Sequence, residues 1–538
     1  MKYSYPVRIV NVGGTVENVE ALLQEKTLQI GIDESVWTTM RGKAHIILDF
    51  GKELSGGARI LVRFSQGNKK VHLRFGESVS ETCAEIGEKN ATNDHSNRDM
   101  FVDLPHYSDM TFGQTGFRFL RIDTLSDDAT IEIKSILAAV DTDTREALGS
   151  FECDDPLVNQ IWDTAAHTIR LCLQNGYFWD GIKRDRLVWI GDLYPEMRAA
   201  QCLFGDLPET ENSLRFVQEQ TPLPKWMNQI ETYSLWWLII LAHEYKVNGE
   251  KERFACFLPY VKGLIAQISD YVNEDGTTKY HWDFIDWPSC YTEGQPIQKL
   301  YDSACGAGYL TTIAIRDIKE FLAAYKEDTS LCEDILSRLS KKERLVGQYK
   351  QMAGLGVWAG DLSETNKEVL LRGGAKGMST FMSYPILSGI AAYGEYESAL
   401  NIMKEYYGGM LSVGATSFWE DFDLAWLENC GRIDEMPVEG KVDIHGDYGT
   451  YCYVGFRHSF CHGWSAGIIP YLIETVAGIK MEGAGMRRIK IQPHLSGLKH
   501  VKVNFPTPYG VMTVEHTLQK NGDVKTNVFV PDGIEVIY

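Results

Sequence analysis

The chain has 538 residues, with 53 Lys+Arg against 73 Asp+Glu and a formal net charge of −20. That acidic excess argues against an electrostatic grip on nucleic acid or anionic lipid. Hydrophobic content of 44% and charged content of 23% exclude a mainly disordered or collagen-like chain, and at ~150 residues per domain the length leaves room for roughly three to four domains.

The start, MKYSYPVRIVNVGG, lacks the apolar run of a signal peptide, and no stretch of about 18 apolar residues follows. The 11 cysteines, Cys290 and Cys452 among them, show no CxxC and no regular spacing. An odd, unpatterned set of thiols favours a reducing compartment over a disulfide framework. The expectation is a soluble, cytoplasmic protein.

From about residue 40 to 140 the hydrophobic period is two. Ile60, Val62 and Phe64 form one such run and Val71, Leu73 and Phe75 another, separated by turn residues such as Gly67-Asn68. This predicts an antiparallel β-sandwich domain over 1–148. Within it NATNDHSNRD (90–99) is polar and reads as a solvated loop, with a cation site as the lesser alternative.

At Asp154-Asp155-Pro156 the character changes. Asp155 suits a helix N-cap with Pro156 in the first turn, and Leu157, Ile161, Ala165, Ile169 and Leu173 then recur every four residues. Helical patterning continues to about residue 478. Segments such as SLWWLIILAHEYKVNGE are apolar on more than one face, as expected for helices buried between neighbours. About 325 residues accommodate some twelve helices of usual length, a number that suits an α/α toroid, with a solenoid or bundle as alternatives. After residue 480 alternation returns in Val501, Val503 and Phe505, and Asn521-Gly522 signals a hairpin. The domains expected are therefore 1–148, a helical block over 149–478, and a C-terminal antiparallel β-domain over 479–538.

Three segments carry candidate chemistry. WDGIKRDRLVWIGDLYPE (179–196) concentrates Asp180, Asp185, Asp192 and Glu196 with Lys183, Arg184, Arg186 and Trp189. ATSFWEDFD (415–423) sets Glu420 directly after Trp419, beside Asp421 and Asp423. RHSFCHGWSAG (457–467) holds His458, Cys461, His462 and Trp464. A zinc site from His458, Cys461 and His462 with Cys452 is disfavoured, because the spacing matches no common zinc module. A charged loop is by default a salt-bridged surface, which contributes little. Two acidic centres, each beside a Trp on a loop of a helical domain, instead suit glycoside hydrolysis. That reaction needs one carboxylic acid to protonate the leaving oxygen and one carboxylate to activate water or attack the anomeric carbon.

At these segments the sequence resembles the α-L-rhamnosidases of glycoside hydrolase family 78. Members carry an acidic loop of the form D-x-x-x-R-D-E-R-x-x-W-x-G-D, a later A-T-S/T-x-W-E and an S-x-C-H-G-W-S-A-G helix start. This chain has DGIKRDRLVWIGD, ATSFWED and SFCHGWSAG. The flanks LDFGKELSGG, GFRFLRI and RRIKIQPHLSGLKHVKVNFPTPYG extend the likeness over essentially the whole chain.

The resemblance implies an (α/α)6 barrel with an inverting site for terminal α-L-rhamnose and no metal or cofactor. Asp180 would hold sugar hydroxyls, Arg184 would orient neighbouring carboxylates and Asp192 would complete the pocket. Where many members have Arg-Asp-Glu-Arg with Glu as acid, this chain reads Arg184-Asp185-Arg186, one residue shorter, and Asp185 is assigned as general acid. Glu420 would be the base, with Asp421 or Glu196 next in line. Trp189, Trp419 and Trp464 would line the sugar's apolar face and His462 would bond a hydroxyl. Asp286-Trp287 resembles a family pocket segment, a buried Trp with a capping Asp being the alternative. A carbohydrate substrate, no nucleic acid and no membrane partner are expected, and a homodimer is left open. The rivals are another α/α-barrel carbohydrate enzyme and a non-catalytic sugar-binding homologue.

Overall fold

The computed structural model describes residues 2–32, 36–287, 301–449 and 453–538. Alternating apolar positions build the N-terminal domain from seven antiparallel strands: β1 (Lys2–Ser4), β2 (Arg8–Glu17), β3 (Thr38–Gln66), β4 (Lys70–Gly76), β5 (Asp99–Asp103), β6 (Ser108–Thr124) and β7 (Thr130–Val140). Their order is β1-β7-β3-β6-β4-β5, with β2 on β3. The long β3 pairs with β7 through two stretches, 38–41 and 56–66, and bulges against β6 between Asp49 and Leu54, where Gly51 has φ 85°. Ile46, Leu48, Ile60, Val62, Leu73, Phe75 and Ile122 share one buried core. The intervening His72 and Arg74 are buried as well, His72 hydrogen-bonded to Asp99 at 2.6 Å and Arg74 ion-paired with Asp123 at 3.0 Å.

The helical block opens as the sequence predicts. Asp155 Oδ1 accepts the amides of Leu157 and Val158 at 2.9 and 3.4 Å, and α1 (Pro156–Cys172) buries Ile161, Ala165 and Ile169. A two-residue turn at Asn175-Gly176, both with positive φ, then folds β9 (Leu173–Gln174) onto β10 (Tyr177–Phe178). Apart from the single turn Lys251–Phe254, the helices that follow are α2 (Leu193–Phe204), α3 (Pro208–Gln220), α4 (Glu231–Asn248), α5 (Leu258–Asp270), α6 (Tyr301–Ala324), α7 (Ser330–Leu339), α8 (Lys350–Ala359), α9 (Glu364–Leu371), α10 (Ser383–Ala392), α11 (Tyr396–Ser412) and α12 (Ile468–Tyr471, continued by a wider turn through Val476).

Among the described residues every second helix belongs to a ring. α2 packs on α4, α4 on α6, α6 on α8, α8 on α10, α10 on α12, and α12 returns to α2. Of the other helices, α7 leans on α6, α9 on α8 and α10, and α11 on α10, while α5 packs on α7. Ring position explains composition: α4 is buried at every residue from Glu231 to Ala242, so its Trp236, Trp237, Leu238 and Ile240 need no polar face. At ~1.5–3 kcal/mol per buried large apolar side chain, this packing outweighs local propensity. No helix among the described residues is long and apolar enough to cross a membrane.

The C-terminal segment forms β11 (Ile479–Glu482), β12 (Arg488–Ile491), β13 (His500–Thr507), β14 (Gly510–Leu518), β15 (Val524–Phe529) and β16 (Glu535–Ile537). The Asn521-Gly522 turn joins β14 to β15, with Gly522 at φ 90°. A four-stranded sheet runs β15-β14-β13-β8, and β8 (Ser150–Cys153) comes from before α1. The segment assigned from sequence to the start of the helical block therefore begins as an edge strand of the C-terminal sheet.

Candidate active site

The β9–β10 hairpin delivers the chain into the loop Trp179–Asp192. Asp180 organises that loop: its Oδ2 accepts the Asp185 amide and its Oδ1 the Leu187 amide, both at 2.9 Å. This is a scaffolding job that the sequence reading did not foresee for Asp180. The loop ends at Asp192, the residue before α2, whose Oδ1 accepts the Tyr233 hydroxyl at 3.0 Å from the first turn of α4.

Other ring helices contribute from the same end. Ser379 and Thr380 precede α10, and their hydroxyls donate to the Asp286 carboxylate and, at 2.5 Å, to the Glu420 carbonyl. His462 and Trp464 precede α12, and Trp464 Nε1 donates to the same Glu420 carbonyl at 2.8 Å. The candidate residues thus gather where helix N-termini leave amides unpaired and the dipole favours negative charge.

Arg184 joins the two acidic segments. Its Nη2 is ion-paired with Glu420 Oε2, its Nη1 lies 3.1 Å from Asp185 Oδ1, and its Nε donates to the Arg457 carbonyl at 3.0 Å. Asp185 and Glu420 consequently flank one guanidinium, although 235 positions separate them in the chain. His462 Nε2 faces the rest of the cluster, 3.7 Å from Asp180 Oδ2, 3.8 Å from Asp192 Oδ2 and 3.9 Å from Glu420 Oε1. Each gap exceeds a hydrogen bond, so a hydroxyl oxygen placed among them would bridge several polar groups.

Burial sets the protonation. It raises Asp180 to about 7, with the charge of Asp185 as the second cause, and lifts Asp192 and Glu196 well above the carboxylate range. Asp286 and Asp421 are also raised to about 7, mainly by burial. Burial and then Arg184 hold His462 neutral. Several acids in one dry cluster cannot all be ionised, so the protonated members would present O–H donors to a ligand.

The expected aromatic lining divides. Trp189 and Trp287 are half-buried, Trp189 against Tyr233 and Trp287 against Phe284 and Tyr453. Trp419 is 0% exposed and stacks on Phe460 at 3.9 Å, which makes it packing beneath Glu420 rather than a sugar-facing ring. Trp464 is buried too, stacked on Phe381 beside His462. His458, Cys461 and His462 do not converge: His458 Nε2 accepts the Asp421 amide at 3.0 Å and Cys461 is buried near Cys172, while Cys452 and Cys290 lie outside the described residues. Tyr233, Ser379 and Thr380 escaped sequence reading because their partners lie on other elements and no local pattern marks them.

A cavity of about 740 Å³ lies elsewhere in the ring, lined by Arg198, His243, Asp317, Trp358, Tyr384 and Glu474 among others. Its central polar groups are mutually satisfied: Arg198 pairs with Glu474 and donates to the hydroxyls of Tyr194 and Tyr384. The unsatisfied Glu196 Oε1 and His462 Nδ1 belong instead to the acidic cluster, which we take as the functional centre.

A helical ring between two β-domains, with buried carboxylates collected at one end, is the architecture the chain presents. Three family descriptions match it: the bacterial alpha-L-rhamnosidase concanavalin-like domain over 39–140, the bacterial alpha-L-rhamnosidase 6 hairpin glycosidase domain over 146–314, and the bacterial alpha-L-rhamnosidase C-terminal domain over 478–537. The chain belongs to the α-L-rhamnosidases of glycoside hydrolase family 78. Among solved structures it is similar to the family 78 rhamnosidase of Bacillus sp. GL1, with 20% identity, a TM-score of 0.76, and coverage of 96% of this chain and 55% of that one. The rhamnose-bound rhamnosidase from Klebsiella oxytoca gives 17% identity and a TM-score of 0.67, over 88% and 95% of the two chains. The Streptomyces avermitilis α-L-rhamnosidase complexed with L-rhamnose gives 13% and 0.69, over 100% and 49%. The chain thus spans about half the length of the Bacillus and Streptomyces proteins. No protein with a curated description matches it significantly.

Proposed function

We propose that this protein hydrolyses terminal non-reducing α-L-rhamnose from rhamnosides, which include oligosaccharides, polysaccharide fragments and glycosylated natural products, by inversion. In this reading the ring with its alternating outer helices is an (α/α)6 barrel, and the ends of its inner helices bearing Asp192, Tyr233 and His462 form the floor of the site. Asp185, at 18% side-chain exposure more open than Asp180, Asp192 and Glu420, protonates the leaving oxygen. Glu420, held on Arg184 and accepting the Ser459 amide at 3.3 Å, activates water. Asp180, Asp192, Asp286 and His462 bind hydroxyls, and the half-buried Trp189 and Trp287 supply apolar faces.

The observation that carries the proposal is the shared Arg184 guanidinium, which sets one carboxyl on each side of a common centre. Inverting pairs stand ~6.5–9.5 Å apart to admit water. The test is a nitrophenyl α-L-rhamnoside followed by NMR: β-L-rhamnose is expected as the first product. First release of the α-anomer would overturn inversion, and no release of rhamnose would overturn the substrate.

A further inference from the structure

We propose that His95, contributed by the N-terminal sheet domain, acts with Asp185 as a single proton-donating pair, so that the sheet domain completes the active site. The inference rests on the reading of Asp185 as general acid and adds a residue from a segment that sequence analysis took for a solvated loop.

That segment is built rather than loose. Asn93 Oδ1 accepts the amides of Arg98 and Asp99 at 3.0 and 3.1 Å, and buried Arg98 donates to the carbonyls of Glu81 and Ala84. Ser96, next to His95, donates from Oγ to the Lys183 carbonyl at 2.9 Å, two residues before Asp185. The Lys183 ammonium is fastened in turn to the sheet domain, 2.9 Å from Glu77 and 3.3 Å from Glu81, and donates to the carbonyls of Phe456 and His458. The loop carrying Asp185 is therefore tied to the loop carrying His95 through Ser96, and to the sheet domain behind it through the Lys183 ammonium.

Between those ties His95 Nε2 lies 3.5 Å from Asp185 Oδ1. The charged groups facing the imidazole are Asp94 at 3.3 Å on its own loop, Arg457 at 3.2 Å from the segment before α12, and Arg184 and Lys183 across the small cavity they share. On its other side His95 borders an open cleft of about 440 Å³ with Asn93, Gln114 and Arg186. It thus stands between solvent and the acid.

Such a group serves a general acid. A general acid must hold a proton at the working pH, and imidazole is the side chain that titrates nearest neutrality. Asp185, entering the step protonated, gives its proton to the glycosidic oxygen, and the carboxylate left behind takes the Nε2 proton of the His95 imidazolium. The anomeric C–O bond breaks, and the leaving alcohol departs with that proton. Water attacking the anomeric carbon loses its proton to Glu420. Imidazole then regains a proton from the cleft while Glu420 returns one to solvent, so protons balance over the turnover. Apo distances of 3.5 Å are long for transfer, and such contacts tighten when substrate binds.

Acid assistance matters most when the leaving group is poor. The test compares the parent with His95→Gln and His95→Ala on a dinitrophenyl rhamnoside and on an alkyl rhamnoside, with thermal midpoints measured alongside. The drop in kcat/KM on the alkyl substrate should exceed that on the dinitrophenyl substrate by about 10-fold or more, and the basic limb of the alkyl pH profile should move to lower pH. An equal fall on both substrates, or no fall, would overturn the inference while leaving the parent's activity and the functional reading intact. A parent inactive on every rhamnoside would sink both.

Discussion

Arg184 sets the charge balance of the site. One buried guanidinium serves two carboxylates, Asp185 and Glu420, while burial pushes five neighbouring acids toward their neutral forms. Glu420→Gln should lower hydrolysis by ~10²-fold or more with an unchanged circular-dichroism spectrum; near-parent rates would move the base role to Asp421 or Glu196. Asp421 offers an independent check on burial. Its folded value of about 7 lies above the unfolded value of about 3.9. Its contribution to stability is therefore complete below pH ~4 and is lost as pH rises through 7. Asp421→Asn should gain thermal midpoint relative to the parent as pH is raised from about 5 to 8. A constant difference across that range would show that Asp421 ionises normally in the fold.

The element that decides the site is the loop between β10 and α2, and it works because glycine and carboxylate share the labour. Asp180 closes the loop through two amides, and Gly191 lets its end pass the Tyr233 ring, where an added Cβ would stand 2.5 Å from Cε1. Gly191→Ala should push Tyr233 away from Asp192 and reduce kcat/KM far more than it lowers the thermal midpoint; parallel losses would mean the ring only packs. Much of this element was legible. The acidic run, the Gly-Asp before α2 and the Asp155 cap are local patterns read from adjacent residues, and the three motif segments do meet in space. The parts that were not legible are relations between elements. Nothing near Tyr233 distinguishes it from the apolar residues of α4, and the polar run at 90–99 has the composition of a solvated loop although Ser96 and Arg98 fasten it. Trp419 misled for a similar reason, since adjacency to Glu420 in sequence says nothing about which face of the backbone a ring occupies.

At the scale of the whole molecule the three-part layout followed from periodicity, because a change from period two to a helical pattern survives any tertiary detail. The contact between the sheet domain and the helical block did not. Its centre is Lys183, buried among Glu77 and Glu81 from the sheet domain with His445 at 3.4 Å. Lys183→Met leaves those carboxylates without their cation and should cost ~3–5 kcal/mol, read as a lower midpoint or a separate early transition in calorimetry. An unchanged, single transition would show that the two bodies are held by apolar contact alone. The placement of β8 has a temporal consequence. Its residues Ser150–Cys153 pair with Ser150↔Asn504 through Cys153↔Val501, a separation that gives the fold a strongly non-local closing step. On a ribosome the strand emerges long before its partner, and the helical ring likewise waits for α12. The nascent chain must therefore carry an open ring and an unpaired strand edge through most of its synthesis, which makes late-stage chaperone dependence a property of this topology rather than of any one residue.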